Sequence, residues 1–269
     1  MQPTPCNTKP IVYLPHHCVI KDSLSTALRV VFNGSSKTTS GRSLNDVMYR
    51  GPNLQQDLLS LIIKWRQYKY AYTADIEKMF RNIALHIDDQ CMQTIMWRDS
   101  TSQPMQEYSL TTVTHGTKAA PFLAMMVLKQ LASDEGHKYQ SSPAAKVLNE
   151  HFYMDDLIHG NHDIQSAKQL QTDLIKLLQA GGFNLRKWSA NTKELLQNIN
   201  TATTNEQTYD FKDDVSTKIL GLRWHPQTDI FTFDLKINLS ENIKYTKRSL
   251  LSEISKLFDP LGWLTPVFQ

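Results

Sequence analysis

The run His151-Phe152-Tyr153-Met154-Asp155-Asp156-Leu157-Ile158-His159-Gly160 decides how the rest of the chain is read. Two adjacent carboxylates lie between two short apolar runs. The pattern predicts a β-hairpin whose tight turn is made by the aspartates themselves, since Asp tolerates turn dihedrals. Like charges side by side raise each other's pKa and weaken a fold unless a cation neutralises them. A lone Asp-Asp pair is ordinarily a solvated acidic turn, so a functional reading needs partners from elsewhere in the chain.

The first such partner is Asp75, the last residue of a strand predicted over Tyr68-Lys69-Tyr70-Ala71-Tyr72-Thr73-Ala74-Asp75. If this strand lies beside the hairpin, three carboxylates converge at one edge of a sheet. Three hard oxygen donors suit Mg²⁺, which keeps waters and shares its other positions with substrate phosphates. Two such ions stabilise the attacking and leaving oxygens of an in-line phosphoryl transfer.

Composition admits this chemistry without demanding it. The 269 residues, 41% hydrophobic and 20% charged, suffice for a buried core, and the net charge of +3 is compatible with a phosphate-bearing partner. Cys6, Cys18 and Cys91 are odd in number and far apart, so a disulfide framework is not indicated and a reducing compartment is. Cys6 and Cys18 lie near His16 and His17, but without a Cys-x-x-Cys pair zinc is the weaker reading. Neither a signal peptide nor a membrane-spanning run is found, which points to a cytoplasmic protein without a membrane partner. The apolar end Thr265-Pro266-Val267-Phe268-Gln269 reads as a cut within a domain.

Taken in order, residues 11–20 read as extended, Lys21 to Thr26 as a polar turn, Leu28 to Phe32 as a strand, and 33–42 as a loop. Asn53 is placed as the cap of a helix whose apolar face is Leu54, Leu58, Leu61, Ile62 and Trp65. A short helical turn is expected over Ile76 to Asn82, and a hairpin from Thr94–Trp97 and Glu107–Leu110. Helices follow from Pro121 to about Ser133 and from Ser142-Pro143 to Glu150. Ile164, Ala167, Leu170, Leu174, Leu177 and Leu178 mark an amphipathic helix closed by Gly181-Gly182. Phe183 to Trp188 reads as a strand and 199–216 as a surface loop. Strands over Lys218–Trp224 and Ile230–Asp234 flank a turn, and a last helix starts at Lys247 and runs to about Phe258. Irregularly mixed strands, hairpins and helices indicate an α+β chain rather than a doubly wound sheet.

Several of these segments together resemble reverse transcriptases. Tyr153-Met154-Asp155-Asp156 looks like their active-site hairpin, and Asp75-Ile76-Glu77-Lys78-Met79-Phe80 like their other palm motif, an acid followed five positions later by an aromatic. Val113-Thr114-His115-Gly116-Thr117-Lys118-Ala119-Ala120-Pro121-Phe122 resembles the Gly…Pro motif. Arg29-Val30-Val31-Phe32-Asn33-Gly34 resembles the fingers strand, Gly182 to Trp188 the motif after the palm helix, and Leu220-Gly221-Leu222 the primer grip. The order of the motifs is also the family's. Lys247 to Gly262 is similar to the segment after the polymerase in BEL/Pao-type LTR retrotransposon polyproteins.

The resemblance implies the fingers and palm of a right-hand polymerase around an antiparallel sheet within residues 1–239, with fingers about 1–68 and 86–118 and palm about 69–85 and 119–239. Residues 240–269 would begin a truncated thumb or connection segment. It implies an RNA-directed DNA polymerase that uses two Mg²⁺ ions, with Mn²⁺ as a substitute, held by Asp75, Asp155, Asp156 and the backbone carbonyl of Ile76. Lys21 and Arg29 would grip the triphosphate and Phe80 would lie beneath the incoming sugar. His115 and Gly116 would meet the nascent base pair, and Lys187 is a candidate proton donor to pyrophosphate. Tyr153, Met154, Gly221 and Leu222 would support the primer.

The implied partners are a template–primer duplex, deoxynucleotides and the rest of a Pol polyprotein with its integration machinery, in the cytoplasm or in virus-like particles. His115 stands where the family more often has Gln or an aromatic, and Asn33 where an acid is commoner. The rival readings are an inactive or co-opted remnant that only binds nucleic acid, and a metal-dependent nuclease drawing on His151, His159 or His162.

Overall fold

The computed structural model describes residues 1–3, 12–20, 28–202, 216–233, 246–254, 259 and 261–263. Lys21, Cys6, Asp234 and the end of the last expected helix lie outside them. The chain forms two compact units, one of Met1–Gln55, Glu77–His137 and Ala180–Phe183, the other of Gln56–Ile76, Lys138–Gln179 and Asn184–Gln269.

Elements are numbered along the chain. In the first unit they are β1 (Gln2–Pro3), β2 (His16–Ile20), β3 (Leu28–Phe32), α1 (Leu44–Val47), β5 (Thr94–Trp97), β6 (Gln106–Ser109) and α3 (Ala120–Glu135). β2 and β3 pair antiparallel with Arg29 opposite Val19, and β1-β6-β5 form a second small sheet. Leu14, Leu44 and Ile95 form the core between them, with Phe32, Met48, Tyr108 and Leu110 packed around it. α1 is one turn, started by a capping box in which Ser43 Oγ accepts from Asp46 N at 3.2 Å and Asp46 Oδ2 accepts from Ser43 N at 2.9 Å.

The second unit holds α2 (Leu58–Arg66), β4 (Tyr70–Ile76), α4 (Ala144–Glu150), β7 (Phe152–Tyr153), β8 (Asp156–Asn161) and α5 (Ile164–Ala180, whose last residue falls in the first unit). It continues with β9 (Leu185–Ala190), α6 (Lys193–Ala202), β10 (Thr217–Ile219), β11 (Leu222–His225), β12 (Ile230–Thr232) and α7 (Lys247–Ile254). Its four-stranded antiparallel sheet runs β7-β8-β4-β9, and a three-stranded sheet runs β10-β11-β12. Leu61, Ile62 and Trp65 of α2 share a core with Ala71, Ile158, Ile219, Leu222 and Trp224. The mixture of helices and antiparallel sheets is the α+β class expected.

Local corrections have identifiable causes. Asn53 does not cap α2: its Oδ1 turns back to Gln55 N, and Asp57 is the cap, accepting from Ser60 N at 2.8 Å. The expected strand over 218–224 is broken into β10 and β11 by a two-residue turn in which Leu220 (φ 48°) and Gly221 (φ 89°) are both left-handed, the arrangement that suits a tight hairpin. The expected loop from 199 begins inside α6, whose buried Leu195, Leu196 and Ile199 carry a helical repeat. Finally, the acidic hairpin turns on Met154 (φ 56°) and Asp155. Asp156 already belongs to β8, opposite Tyr153, so the aspartates do not make the turn between them.

Candidate active site

In β4 the alternation of a strand sends Tyr72 and Ala74 to one face and Thr73 and Asp75 to the other. Asp75 lies between two neighbours: Asp156 opposite it on β8 and Arg186 opposite it on β9. Cross-strand pairs share a face, so two carboxylates meet across the centre of this sheet. Asp155, one residue before, enters through the backbone: Ile76 N–H donates to its carbonyl at 2.8 Å, joining the hairpin turn to the end of β4. Tyr153 of the hairpin packs against the core around Trp65, and Met154 occupies the left-handed position of the turn.

The charge of this arrangement is only partly offset. Burial, then the neighbouring Asp155 and Asp75 carboxylates, push the Asp156 carboxyl up to about 7, against the opposing pull of Lys187. Lys187 Nζ donates to Asp75 Oδ2 at 2.8 Å. Burial alone would lower the lysine's pKa; its hydrogen bond to Asp75 and the charges of Asp75, Asp155 and Asp156 outweigh that and raise it.

A β-bulge brings Lys187 there. Thr73 opposes Ser189 and Asp75 opposes Arg186, so Lys187 and Trp188 together face Ala74 alone. Lys187 takes the left-handed conformation of the bulge (φ 54°) and reaches Asp75, while Trp188 stays buried 5.9 Å from the Tyr72 ring.

The residues fit a divalent cation in kind. They supply hard carboxylate oxygens, and the raised Asp156 marks negative charge that a cation would relieve. Among the described residues no three His, Cys, Asp or Glu side chains are gathered around one point, and Lys187 holds one oxygen of Asp75.

The other expected contact residues divide between the units. Leu222 is buried in the Trp65–Trp224 core and Gly221 forms the turn beside it, so this hairpin presents its turn backbone rather than the Leu222 side chain. In the first unit, Arg29 is exposed on β3 and Phe80 is half-buried in a 3₁₀ turn over Met79–Asn82. His115 Nε2 donates to Val30 O at 2.8 Å, and its ring meets Phe32 edge-on at 5.3 Å. Gly116 (φ 93°) passes so close to β3 that a Cβ there would lie 2.3 Å from Phe32 O.

Sequence reasoning missed Asn45. Its Nδ2 donates to Gly116 O at 3.0 Å and Ser35 Oγ at 2.9 Å, its Oδ1 accepts from Lys118 N at 2.8 Å, and its own N–H donates to Gly34 O at 2.9 Å. One amide thus ties the Gly116 loop to the exit of β3. The only local signal was the capping box around it, which predicts the turn and not the distant partner.

His151 and His159 do not join the acids. Their rings pack edge to face at 4.3 Å, with Tyr68 and Tyr72 around His159, and the Nδ1 atoms of both lie buried without a hydrogen-bond partner. Burial, then the neighbouring His151, push His159 down to about 3. Burial and Lys64 also lower His151. This is a neutral packed pair and gives the nuclease reading no base on the acids' face.

Comparison with known proteins agrees with the sheet. No curated protein matches the sequence. The foamy viral protease-reverse transcriptase solved with double-stranded DNA is similar over 92% of this chain and 36% of its own, with 15% identity and a TM-score of 0.60. A foamy viral protease-reverse transcriptase solved with an RNA/DNA hybrid gives 93% and 28%, 14% identity and 0.57. The prototype foamy virus protease-reverse transcriptase gives 66% and 20%, 16% identity and 0.50. At such identity the likeness is one of fold, and the chain spans at most 36% of these proteins. The family model for reverse transcriptase (RNA-dependent DNA polymerase) matches residues 10–222, a span that contains Asp75, the acidic hairpin and the Asn45–Gly116 junction; the chain belongs to that family.

Proposed function

We propose that the chain is the fingers and palm of an RNA-directed DNA polymerase, joining deoxynucleotides to a primer 3′-hydroxyl on an RNA or DNA template. The observation that carries this reading is the pairing of Asp75 with Asp156, next to Asp155, in a setting that raises the Asp156 carboxyl to about 7. A merely structural site would not keep like charges together at the centre of a sheet.

Asp75, Asp155 and Asp156, with the Ile76 carbonyl, would hold two Mg²⁺ ions or Mn²⁺ in their place. When bound, the ions supply the charge that stabilises the attacking and leaving oxygens during in-line phosphoryl transfer. Lys187 holds a proton close to the acids and would give it to the departing pyrophosphate. Arg29, with Lys21, would bind the triphosphate, Phe80 would limit the sugar, and His115-Gly116 would meet the base pair. Tyr153, Met154 and the Leu220–Gly221 turn would support the primer.

The segment beginning with α7 resembles the BEL/Pao type, and on that basis the chain is assigned to the Pol polyprotein of such an element. Among the described residues no helix is long and apolar enough to cross a membrane.

Primer extension on an RNA template in Mg²⁺ tests this, with Asp155→Asn/Asp156→Asn as control. Extension above the control is expected. Duplex binding without extension would instead favour the reading of a remnant that only binds nucleic acid.

A further inference from the structure

The small sheet β10-β11-β12 has strands of three, four and three residues. So short a sheet is marginal alone, and its position depends on what it packs against. The C-terminal turn of α2 grips it by two adjacent side chains. Trp65 meets Trp224 edge-on at 4.7 Å and Phe231 at 5.6 Å. Arg66 forms an ion pair with Asp229 while its guanidinium lies 5.3 Å from the centre of the Phe231 ring. Asp229, left-handed at φ 53° in the β11–β12 turn, also accepts from the Nε1 of the fully buried Trp224 at 2.8 Å. One carboxylate oxygen therefore links Arg66 of α2 to Trp224 of β11.

The opposite end of β11 carries the Leu220–Gly221 turn, and Leu220 packs on the same core as Tyr153 of the acidic hairpin. We propose that Arg66 and Asp229 are positioning residues that set where the Leu220–Gly221 turn stands relative to the acidic hairpin, and so determine how firmly a primer–template duplex is held. This rests on the polymerase reading for the identity of the ligand, and duplex affinity can be measured without catalysis. The ion pair is about one-third exposed, which makes it a poor source of stability and leaves placement as its larger effect.

The test is the dissociation constant of a primer–template duplex for the wild-type chain, Asp229→Asn, Arg66→Met and the double variant, beside thermal melting. Asp229→Asn keeps an oxygen for the Trp224 indole and removes the charge that faces Arg66. Each single variant is expected to weaken binding about fivefold, with the double variant no weaker than either, and Arg66→Lys to recover part of the loss. Unchanged affinity in Asp229→Asn overturns the proposal, as does additive loss in the double variant or a wild-type chain that does not bind the duplex. If the wild-type chain binds without extending the primer and the variants still weaken binding, the polymerase reading fails and the positioning role stands.

Discussion

The acidic end of the β4–β8–β9 sheet and the Asn45–Gly116 junction are built on opposite plans. At the junction, one side chain makes three hydrogen bonds, its own N–H a fourth, and the backbone of Gly116 passes where no side chain fits. Nothing more is needed to complete it. At the sheet, Asp75 and Asp156 face each other beside Asp155, and the two cations on that side, Arg186 and Lys187, are fewer than the three carboxylates. The first region is complete as protein, whereas the second keeps like charges together that a bound cation would relieve. Geometry that must not move is made from satisfied groups, and geometry that must accept a charged ligand is left electrostatically short.

The largest expected effect tests the closed region. Gly116→Ala would put a Cβ 2.3 Å from Phe32 O at φ 93° and should cost about 3 kcal/mol in denaturant unfolding, or displace the loop. Next is the open region. A carboxyl whose pKa is raised on folding adds stability below its unfolded value, near pH 4, and loses it as the pH rises through about 7. Asp156→Asn should therefore stabilise the metal-free chain by about 2 kcal/mol at pH 8, with little change at pH 4. Added Mg²⁺ should narrow the difference by stabilising the wild type alone; equal melting at pH 8 would mean the acids are not strained.

Asn45→Ala should cost about 1–2 kcal/mol with no dependence on pH or Mg²⁺, and that indifference separates the two plans. The smallest effect concerns the histidines behind the hairpin. A His with a depressed folded pKa adds stability above about 6.5 that fades as the pH falls towards 3, and Lys64 and Lys146 deepen the fall at His151 while Glu150 opposes it. His159→Phe keeps a ring against Tyr68 and Tyr72 and should remove about 1 kcal/mol of the loss between pH 7 and 5.

The same contrast explains what could be read from residues alone. The nearness of Asp75 to the hairpin acids was legible because a strand-end carboxylate and a hairpin are local patterns and their pairing needs only that the strands be neighbours. The position of the turn, on Met154 and Asp155 rather than on the two aspartates, was not. Asn45 was not, because its partner Gly116 lies 71 positions away and nothing in Ser43-Leu44-Asn45-Asp46 points there. The Leu220–Gly221 turn was overlooked inside an apolar run that reads as one strand, although the glycine was its marker. The Arg66–Asp229 pair spans 163 positions and is visible only once α2 and β11 are packed together.

The bulge in β9 has a consequence best put as parity. A strand in step alternates odd and even residues between its faces, so it can offer one side chain in two to a given row of acids. With one residue too many between Ser189 and Arg186, the phase slips, and the consecutive cations Arg186 and Lys187 both fall to the Asp75 side while Trp188 keeps its place on the other. Deleting one residue there would put the ladder back in step and leave a single cation where the sheet now has two.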